Sequence, residues 1–425
     1  MEFINGSSTS DHLIVFSHPF GNANVRSALS GLHQAGLIAR FFTSVAVYPG
    51  NYFDILSRLP GFQSVQRRRY SPSLKNFTTQ YPLHELVRLL SLQCRLDFLV
   101  EHGKGLFATD NIIQQLDKKV ASYISKSNPS FLKGIYAYED GALQSFMAAE
   151  EMGIRKLYDL PIGYWRVAKD ILEEEKMKWP EWACTMPALK DSARKLLRKD
   201  EELRLADKIF VAGSYTASTL ERASIQKNKI QIIPYGFPDT TSMSRSYYKG
   251  KRKLKLLYVG SLTQRKGIAD VLHLAEYFSS SVSLTLVGKK TTHDCKPLNS
   301  MIKHHDYFPG MSHAEILRLM QSHDVLIFPS LFEGFGLVIT EAMSQGMPVI
   351  TTERTCGADF IQHKQNGWLI EAGNKYVLYD TVQEILDWPY LVEEFGRNAL
   401  ATAKKRPWAV YASELAEAVT KDIMP

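Results

Sequence analysis

Two pairs of charged residues in the second half of this 425-residue chain have types and spacings that could act on a phosphate ester. Glu333 and Glu341 are separated by seven residues, and Arg265 stands next to Lys266. When a group leaves a diphosphate, negative charge grows on the phosphate oxygens, and fixed cations aimed at those oxygens lower the barrier. Carboxylates accept hydrogen bonds from hydroxyl groups. The two pairs therefore predict a ligand that carries sugar hydroxyls on both sides of a diphosphate.

The acidic pair lies in a predicted strand–loop–helix unit. Val325–Phe328 is a short apolar strand, and residues 333–336 form a glycine-bearing loop. A helix is predicted to start near Leu337 and to end at Ser344 or Gln345, because a glycine and then a proline follow it. The N-terminus of a helix offers unpaired N–H groups to a phosphate. Gly334 and Gly336 would let the backbone approach a ligand closely.

The basic pair lies in a second glycine-bearing loop, residues 260–267, between a predicted strand and a predicted helix that starts at Gly267. Arg265 offers a bidentate fork of N–H donors, and Lys266 offers a compact point charge. Both cations are predicted to face the same phosphate as the N-terminus of that helix.

The run from Pro329 to Ile350 carries a resemblance to a known family. Its pattern, Pro-Ser-x-x-Glu-Gly-Phe-Gly-Leu…Glu-Ala-Met…Gly-x-Pro-Val-Ile, is similar to that of the family 4 glycosyltransferases. The two glutamates resemble the E-x7-E motif of retaining glycosyltransferases with the GT-B fold. The resemblance implies an α/β GT-B architecture: two Rossmann-like domains face each other across a cleft, and a C-terminal helix crosses back to the N-terminal domain. It also implies sugar transfer from a nucleotide-diphosphate sugar with retention of configuration, and no metal ion or other cofactor.

The resemblance also implies roles for individual residues. Glu341 would hold the ribose hydroxyls of the nucleotide, Glu333 the hydroxyls of the donor sugar, and Phe335 would offer a backbone N–H group. The residues predicted to act in catalysis are Glu333, Arg265, Lys266 and Asp140. The residues predicted to bind the nucleotide sugar are Gly21, Gly260, Arg265, Lys266, Gly334, Phe335, Gly336, Leu337 and Glu341.

Strand and helix patterns alternate along both halves, which predicts parallel sheets covered on both faces. We predict a Rossmann-like acceptor domain over residues 1–236, completed by a helix at about 407–425, and a nucleotide-sugar donor domain over residues 250–404. The polar run 237–250 is the predicted linker. The patterns in the first half predict a strand over 42–47, a helical stretch over 173–204 broken by Pro180 and Pro187, and a helix capped by Ser214.

Two loops of the first half are predicted to reach the cleft. Gly21 and Asn22 follow the first predicted strand, where GT-B enzymes cover the donor phosphates; for Asn22 a plain strand–helix turn is the alternative. Glu139 and Asp140 follow the predicted strand Gly134–Tyr138, and ligands gather at strand C-termini in open α/β sheets. Asp140 is either a catalytic group or the N-cap of the next helix. The histidine that many family 4 enzymes carry near this position is absent.

The acceptor is defined only as a class. Tyr164, Trp165 and Arg166 follow a predicted strand and would either stack on an acceptor or pack within the fold. The resemblance fits a glycan, a lipid-linked sugar or a small molecule as acceptor. Because family members often act at the cytoplasmic membrane face, it implies a cytoplasmic protein with peripheral attachment to the inner face of the membrane.

Composition excludes several classes of protein. An apolar content of 45% and a charged content of 22% are typical of a globular chain, and no run of 18 apolar residues predicts a transmembrane helix. The net charge of +7 suits phosphate-bearing ligands or an anionic membrane surface, although solvated basic faces are the plainer interpretation. No nucleic-acid-binding motif occurs, and four scattered cysteines give no metal or redox spacing. Residues 1–11 are polar and lack the apolar region of a signal peptide.

Two alternatives to a retaining transferase stay open at this level. One is another GT-B enzyme, such as an epimerase or a phosphorylase. The other is a non-catalytic subunit that kept a nucleotide-sugar-binding fold, an alternative that the absent histidine keeps open.

Overall fold

The computed structural model describes residues 13–59, 62–242 and 245–424, and the side chains of residues 63 and 64 are not described. The polar segment 1–11, from which we expect no signal peptide, lies outside these residues. Within them, the chain forms two parallel β-sheets with helices packed around them.

The first sheet has seven strands, all paired in parallel. In chain order the strands are β1 Ile14–Ser17, β2 Ile38–Thr43, β3 Thr78–Gln80, β4 Gly134–Tyr138, β5 Arg155–Leu160, β6 Lys208–Val211 and β7 Ile230–Ile232. Their order across the sheet is β3-β2-β1-β4-β5-β6-β7. The central strands β1 and β4 are buried along their whole length, as expected for a parallel sheet covered on both faces.

Eight helices belong to the described part of this half: α1 Ala23–Gln34, α2 Tyr52–Leu56, α3 Leu83–Gln93, α4 Thr109–Ile124, α5 Leu143–Glu151, α6 Trp165–Lys178, α7 Ala193–Leu205 and α8 Ser214–Thr219. The proline breaks predicted in the stretch 173–204 are confirmed. Pro180 and Pro187 each start a short 3-10 helix, Pro180–Thr185 and Pro187–Lys190, between α6 and α7.

The strand predicted over 42–47 is wrong at both ends, because the observed strand β2 begins at Ile38. β2 stops at Thr43, and the apolar residues that follow are a buried loop. Ala46 gives its N–H to the side chain of Gln80, and Val47 forms one isolated bridge with Arg69. These residues are apolar because they are buried. Hydrogen bonds to residues distant in the chain take the place of pairing with a neighbouring strand.

The second sheet has six parallel strands in the order β10-β9-β8-β11-β12-β13. The strands are β8 Leu254–Val259, β9 Val282–Val287, β10 Asp306–Phe308, β11 Val325–Phe328, β12 Val349–Thr352 and β13 Trp368–Ile370. The helices that follow β8 are α9 Ile268–Tyr277, α10 Lys296–Met301, α11 His313–Ser322, α12 Leu337–Ser344, α13 Gly357–Phe360, α14 Lys375–Asp387, α15 Tyr390–Lys404 and α16 Trp408–Ile423.

The last helix, α16, returns to the first half and packs along α1, as predicted. Tyr411, Leu415 and Val419 form its buried face. Gly31 of α1 lies so close to α16 that an added Cβ would stand 2.3 Å from the carbonyl oxygen of Ala412. Two distant parts of the chain therefore complete one layer over the first sheet.

The two halves contact each other beside the ends of their strands. Gly334 of the second half lies against Pro161 of the first, and Tyr235 packs on Phe335 with ring centroids 4.8 Å apart. The cap predicted at Ser214 is wrong, because the Ser214 N–H is held by the Asp359 carboxylate of the second half. Sequence alone could not find a cap supplied by a residue 145 positions away.

We expect Gly31→Ala to destabilise the protein by about 1–3 kcal/mol, because the new methyl group would overlap the backbone of α16. The steric cost should exceed the roughly 1 kcal/mol that alanine gains over glycine in a helix interior. Urea denaturation gives the difference. Gln34→Ala, at an exposed position of α1, is the control and should leave the midpoint within error.

Candidate active site

Two cations of the loop after β8 converge on one carboxylate of the loop after β11. Lys266 Nζ lies 2.8 Å from Glu333 Oε2, and Arg265 Nη1 lies 3.3 Å from the same oxygen. The Arg265 guanidinium also donates to the Phe332 carbonyl. The three charged side chains are 14–20% exposed, so this cluster is largely withdrawn from solvent.

The two loops are held together by a glycine. Gly267 has φ +69, and a Cβ there would stand 2.5 Å from the Pro329 carbonyl oxygen. Only glycine combines this left-handed backbone with such a close approach. The Leu331 N–H donates to the Arg265 carbonyl at 2.9 Å, which fixes the register between the loops. The cations of one loop are therefore placed against the acid of the other by backbone contacts.

The cluster controls the charge on Glu333. Burial by itself raises the pKa of this carboxyl, but the charges of Lys266 and Arg265 outweigh burial and bring the pKa down to about 2. Burial lowers the pKa of Lys266, and the Glu333 carboxylate opposes that change. We take Glu333 and Lys266 as ionised at neutral pH, since an isolated buried charge would cost far more than a paired one.

The predicted junction between the loop after β11 and helix α12 lies directly after Glu333 in the chain. Gly336, with φ +87, precedes α12, whose first residue is Leu337, and within the described residues no side chain caps this helix. Its first N–H groups, which lack intrahelical partners, are therefore not satisfied by a capping side chain. The Phe335 ring is buried against Tyr235 and Phe360, so its backbone rather than its ring is left to meet a ligand.

Gly334 lies tightly against the first half. A Cβ at Gly334 would stand 1.8 Å from the Pro161 carbonyl oxygen, and the Gly334 carbonyl accepts a hydrogen bond from the Thr216 hydroxyl. Contact with the first half therefore already requires a glycine at this position, and the close approach of a ligand stays a prediction.

At the N-terminus of α9, one N–H group is already bound within the loop. The Ala269 N–H donates to the Gln264 side chain at 2.9 Å, and Gln264 is held in turn by Glu175 and Asp270. That this helix start faces the donor phosphate stays a prediction. Gly260, at the start of the same loop, packs on the Lys266 side chain, with an added Cβ 3.3 Å from Lys266 Cδ.

Glu341 lies one turn into α12 and has a partner that the sequence did not suggest. His313, the first residue of α11, stands with Nε2 3.1 Å from Glu341 Oε1. The hydrogen bond with Glu341 raises the pKa of His313, while burial and the charge of Arg26 lower it in part. Since Arg26 belongs to α1, the first half faces this pair. No short-range signal could have joined residues 313 and 341.

Gly21 lies on that opposing side. Its carbonyl accepts a hydrogen bond from Arg26 at 2.8 Å, and a Cβ would stand 2.5 Å from the Tyr70 hydroxyl oxygen. Asn22 is exposed and precedes α1 without a side-chain capping bond. The structure therefore brings Gly21 to the cleft as a tightly packed turn.

Asp140 is not the N-cap of α5. The N–H groups at the start of α5 donate to two other acids, Glu202 and Asp117. Asp140 has φ +72 and accepts a hydrogen bond from Arg198 at 3.0 Å. Burial raises the pKa of Asp140, but Lys199, Lys195 and Arg198 together bring it below the ordinary value. The alternative of a helix cap is wrong, and Asp140 stays ionised within a buried charge network.

Glu139 and a histidine stand beside Asp140 at the end of the first sheet. Lys199 Nζ lies 3.1 Å from Glu139 Oε2, and burial raises the pKa of Glu139. His18, directly after β1, packs edge-on against Tyr138 with ring centroids 4.7 Å apart. Burial lowers the pKa of His18 to about 3, and its Nδ1 accepts the Phe20 N–H. A neutral imidazole therefore lies against Tyr138, the residue that precedes Glu139.

The described residues contain no group of three or more histidine, cysteine, aspartate or glutamate side chains arranged to hold a metal ion. In the same part of the chain, no helix combines the length and apolar character needed to cross a membrane.

Comparison with known proteins agrees with this geometry. Residues 239–402 match the family model described as "Glycosyl transferases group 1". The chain is similar to the capsular polysaccharide biosynthesis glycosyltransferase CapM of Staphylococcus aureus, with 23% identity over 226 residues that cover 48% of this chain and 58% of CapM. The chain thus spans just over half the length of this curated relative. The match in the second half supports a glycosyltransferase.

The fold resembles solved structures over nearly the whole chain. Anabaena Alr3699/HepE in complex with UDP-glucose has a TM-score of 0.62 at 18% identity, covering 96% of this chain and 99% of that one. Sucrose-phosphate synthase from Thermosynechococcus elongatus has a TM-score of 0.66 at 15% identity, covering 96% and 98%. At such identities the likeness shows the fold, which is GT-B, as predicted.

The pKa of about 2 at Glu333 gives a prediction about acid stability. Because the folded pKa lies below the ordinary value of 4.5, ionised Glu333 stabilises the folded protein above pH 4.5, and this contribution is lost as the pH falls towards 2. We expect Glu333→Gln to lower the free energy of unfolding by up to about 3 kcal/mol at pH 7 and by much less at pH 3.

Urea midpoints at the two pH values measure this effect. Glu174→Gln, at an exposed position of α6, is the matched control. A stability difference for Glu333→Gln that stays the same at both pH values would contradict an ionised, cation-paired Glu333.

Proposed function

We propose that the protein is a retaining glycosyltransferase of the family 4 type, which transfers a hexose-type sugar from a nucleotide-diphosphate sugar to an acceptor hydroxyl. The observation that carries the proposal is the convergence of Arg265 and Lys266 on Glu333 beside the uncapped start of α12. Sugar transfer needs this combination of cations, helix N–H groups and a carboxylate around one leaving diphosphate.

In this proposal the cations act on the leaving group. Lys266 and Arg265 have N–H donors fixed by buried contacts before any ligand arrives, so they need little reorganisation when charge develops on the diphosphate. The N–H groups of Gly336 and Leu337 add the partial positive charge of a helix start. Removing one such group should cost on the order of 3 kcal/mol in activation free energy.

The acids hold hydroxyl groups in this proposal. Glu333 Oε2 pairs with both cations. Its second oxygen would accept a hydroxyl of the donor sugar. Glu341, with His313 beside it, would accept the ribose hydroxyls. Gly21, across the cleft, would cover the phosphates from the first half. Asp140 would act through the charge network around Glu139, rather than by direct proton transfer.

The similarity to a structure solved with UDP-glucose makes UDP-sugars the first donors to test. Of the alternatives, a non-catalytic subunit would keep the donor site without turnover. An epimerase would interconvert free nucleotide sugars without an acceptor. Both are separated from a transferase by measuring product in the presence and absence of an acceptor.

We also propose peripheral attachment to an anionic membrane face, consistent with a cytoplasmic enzyme and a glycan, lipid-linked or small-molecule acceptor. The support is an exposed apolar set in residues 52–106, which we call the apolar rim: Tyr52, Ile55, Leu59, Leu83, Phe98 and Leu106, each half or more exposed. The same span carries eight Lys or Arg residues against four Asp or Glu residues. Apolar side chains flanked by cations favour the surface of anionic lipid.

The donor site is tested first by binding and then by turnover. A panel of UDP-, GDP- and ADP-sugars should raise the melting temperature with one nucleotide class, since a ligand that binds only the folded state stabilises it. Arg265→Ala and Glu341→Ala should each lower transfer by roughly 100-fold or more with that donor.

The control for these variants is Arg318→Ala, which removes an exposed arginine from α11 and should leave transfer unchanged. Wild-type rates in both Arg265→Ala and Glu341→Ala would overturn the proposed function.

Membrane attachment is tested by sedimentation with vesicles. The wild type should bind vesicles containing about one third anionic lipid, and less so at high salt, because surface charges are screened. The triple variant Leu83→Asp, Phe98→Asp, Leu106→Asp should bind at least tenfold more weakly. Tyr277→Asp, at a position on α9 that is 71% exposed, is the control. Equal vesicle binding by the triple variant and by Tyr277→Asp would contradict a role of the apolar rim in membrane attachment.

A further inference from the structure

We propose that a pocket between the two halves binds a ring-sized apolar group of the acceptor, so that benzyl glycosides bind more tightly than the corresponding methyl glycosides. This inference rests on the proposed transferase function. We call the site the interdomain pocket. Its apolar wall consists of Ile162, Trp165, Leu172, Leu189, Leu196 and Phe332.

The pocket is built jointly by both halves. Phe332 reaches from the second half onto Gly163, where an added Cβ would stand 2.7 Å from the Phe332 ring. The Phe332 carbonyl is the same atom that anchors the Arg265 guanidinium, and Arg265 also lines the pocket. The wall of the pocket and the cation predicted to hold the donor diphosphate are therefore fixed to each other.

Size limits what the pocket can hold. Its volume is about 190 Å³. An apolar protein cavity of about 150 Å³ accommodates benzene. One aromatic ring or a short branched chain therefore fits, whereas a second sugar ring with its hydration would not.

The charges at the edge of the pocket favour a neutral occupant. Lys199 faces the pocket but is paired with Glu139, and Arg265 is paired with Glu333. Asp191 adds a carboxylate that is already held by Lys195 and by His102. The third cation of the lining, Lys169, is exposed to solvent, where its charge is screened. An anionic ligand therefore gains little in the buried part of the pocket, and the apolar surface supplies the main attraction.

The polar edge fixes the orientation of the acceptor. The Glu139–Lys199 pair and Arg265 lie where the pocket meets the charged cluster of the cleft. An apolar group seated against Trp165 and Leu172 would place the sugar attached to it at this edge. Its hydroxyl would then lie beside the groups that handle the donor.

The other aromatic and cationic residues of this segment have structural partners. The Tyr164 hydroxyl and the Trp165 Nε1 both donate to Asp200 at 2.7 Å. The Arg166 guanidinium pairs with Asp200 and stacks 4.2 Å from the Trp165 ring centroid. Asp200 thus holds the Trp165 ring in one orientation, which leaves a preformed aromatic surface for the pocket.

The test measures binding without turnover. Isothermal titration calorimetry compares benzyl and methyl glycosides of glucose, galactose, mannose and N-acetylglucosamine, pair by pair. For at least one sugar we expect the benzyl glycoside to bind the wild type at least tenfold more tightly. Ala168→Phe fills the pocket from α6 and should abolish that preference. Met177→Phe, at a position on the same helix that is 76% exposed, should keep it.

A second variant keeps the proposal testable if Ala168→Phe does not fold. Leu189→Gln, at a half-buried position of a short 3-10 helix, places an amide in the apolar wall and should weaken benzyl glycoside binding several-fold. Equal affinity of benzyl and methyl glycosides for the wild type, or an unchanged preference in folded Ala168→Phe and Leu189→Gln, would overturn the proposal.

Donor binding separates this proposal from the function that it deepens. Ala168→Phe should retain the melting-temperature shift with the preferred nucleotide sugar. Loss of the benzyl preference with an intact donor shift supports the acceptor pocket. Donor binding and transfer in the wild type without any benzyl preference would reject the pocket alone, while the absence of donor binding would reject the transferase.

Discussion

The buried pairing of Lys266 and Arg265 with Glu333 is the constraint on which the second half of the molecule depends. Three charges lie in a largely desolvated position, and each is tolerable only while the others stay within about 3 Å. Their positions depend on two loops that are held in register by Gly267 and by the Leu331–Arg265 backbone bond. Any change that separates the loops leaves an unpaired buried charge. The same ion pairs therefore determine both the stability of the folded chain and the geometry of the candidate site.

The contact between halves extends this constraint to the first sheet. Gly334 follows Glu333 directly and lies against Pro161, while Phe332 precedes Glu333 and lies on Gly163. Segments of the first half also enter the second: Trp182 packs in the core around β8 and β9, and the Glu175 side chain holds Gln264. A shift of one half relative to the other would therefore change the distances within the charged cluster. Backbone contacts, rather than long flexible side chains, determine the distance between the two halves at the cleft.

Sequence patterns gave a good prediction of the local architecture and a partial one of the site. β4, β11 and α12 begin and end where expected, because burial, glycine and proline act on neighbouring residues. The convergence of Arg265, Lys266 and Glu333 also followed from motif positions. His313 beside Glu341, Asp359 at the start of α8 and the acids that cap α5 were not predicted. Each is a contact between residues 25 or more positions apart, and no periodicity within one segment encodes it.

The return of α16 onto α1 has a consequence for how the chain is made. α1 ends at Gln34, but the helix that covers it begins only at Trp408. Domains generally fold as units in order of synthesis, from the N-terminus. Here the earlier unit leaves the ribosome with the apolar side of α1 uncovered, and it stays so while about 370 further residues are added. Expression of the first half alone would leave that side uncovered, so a co-expressed peptide that spans α16 should improve its solubility.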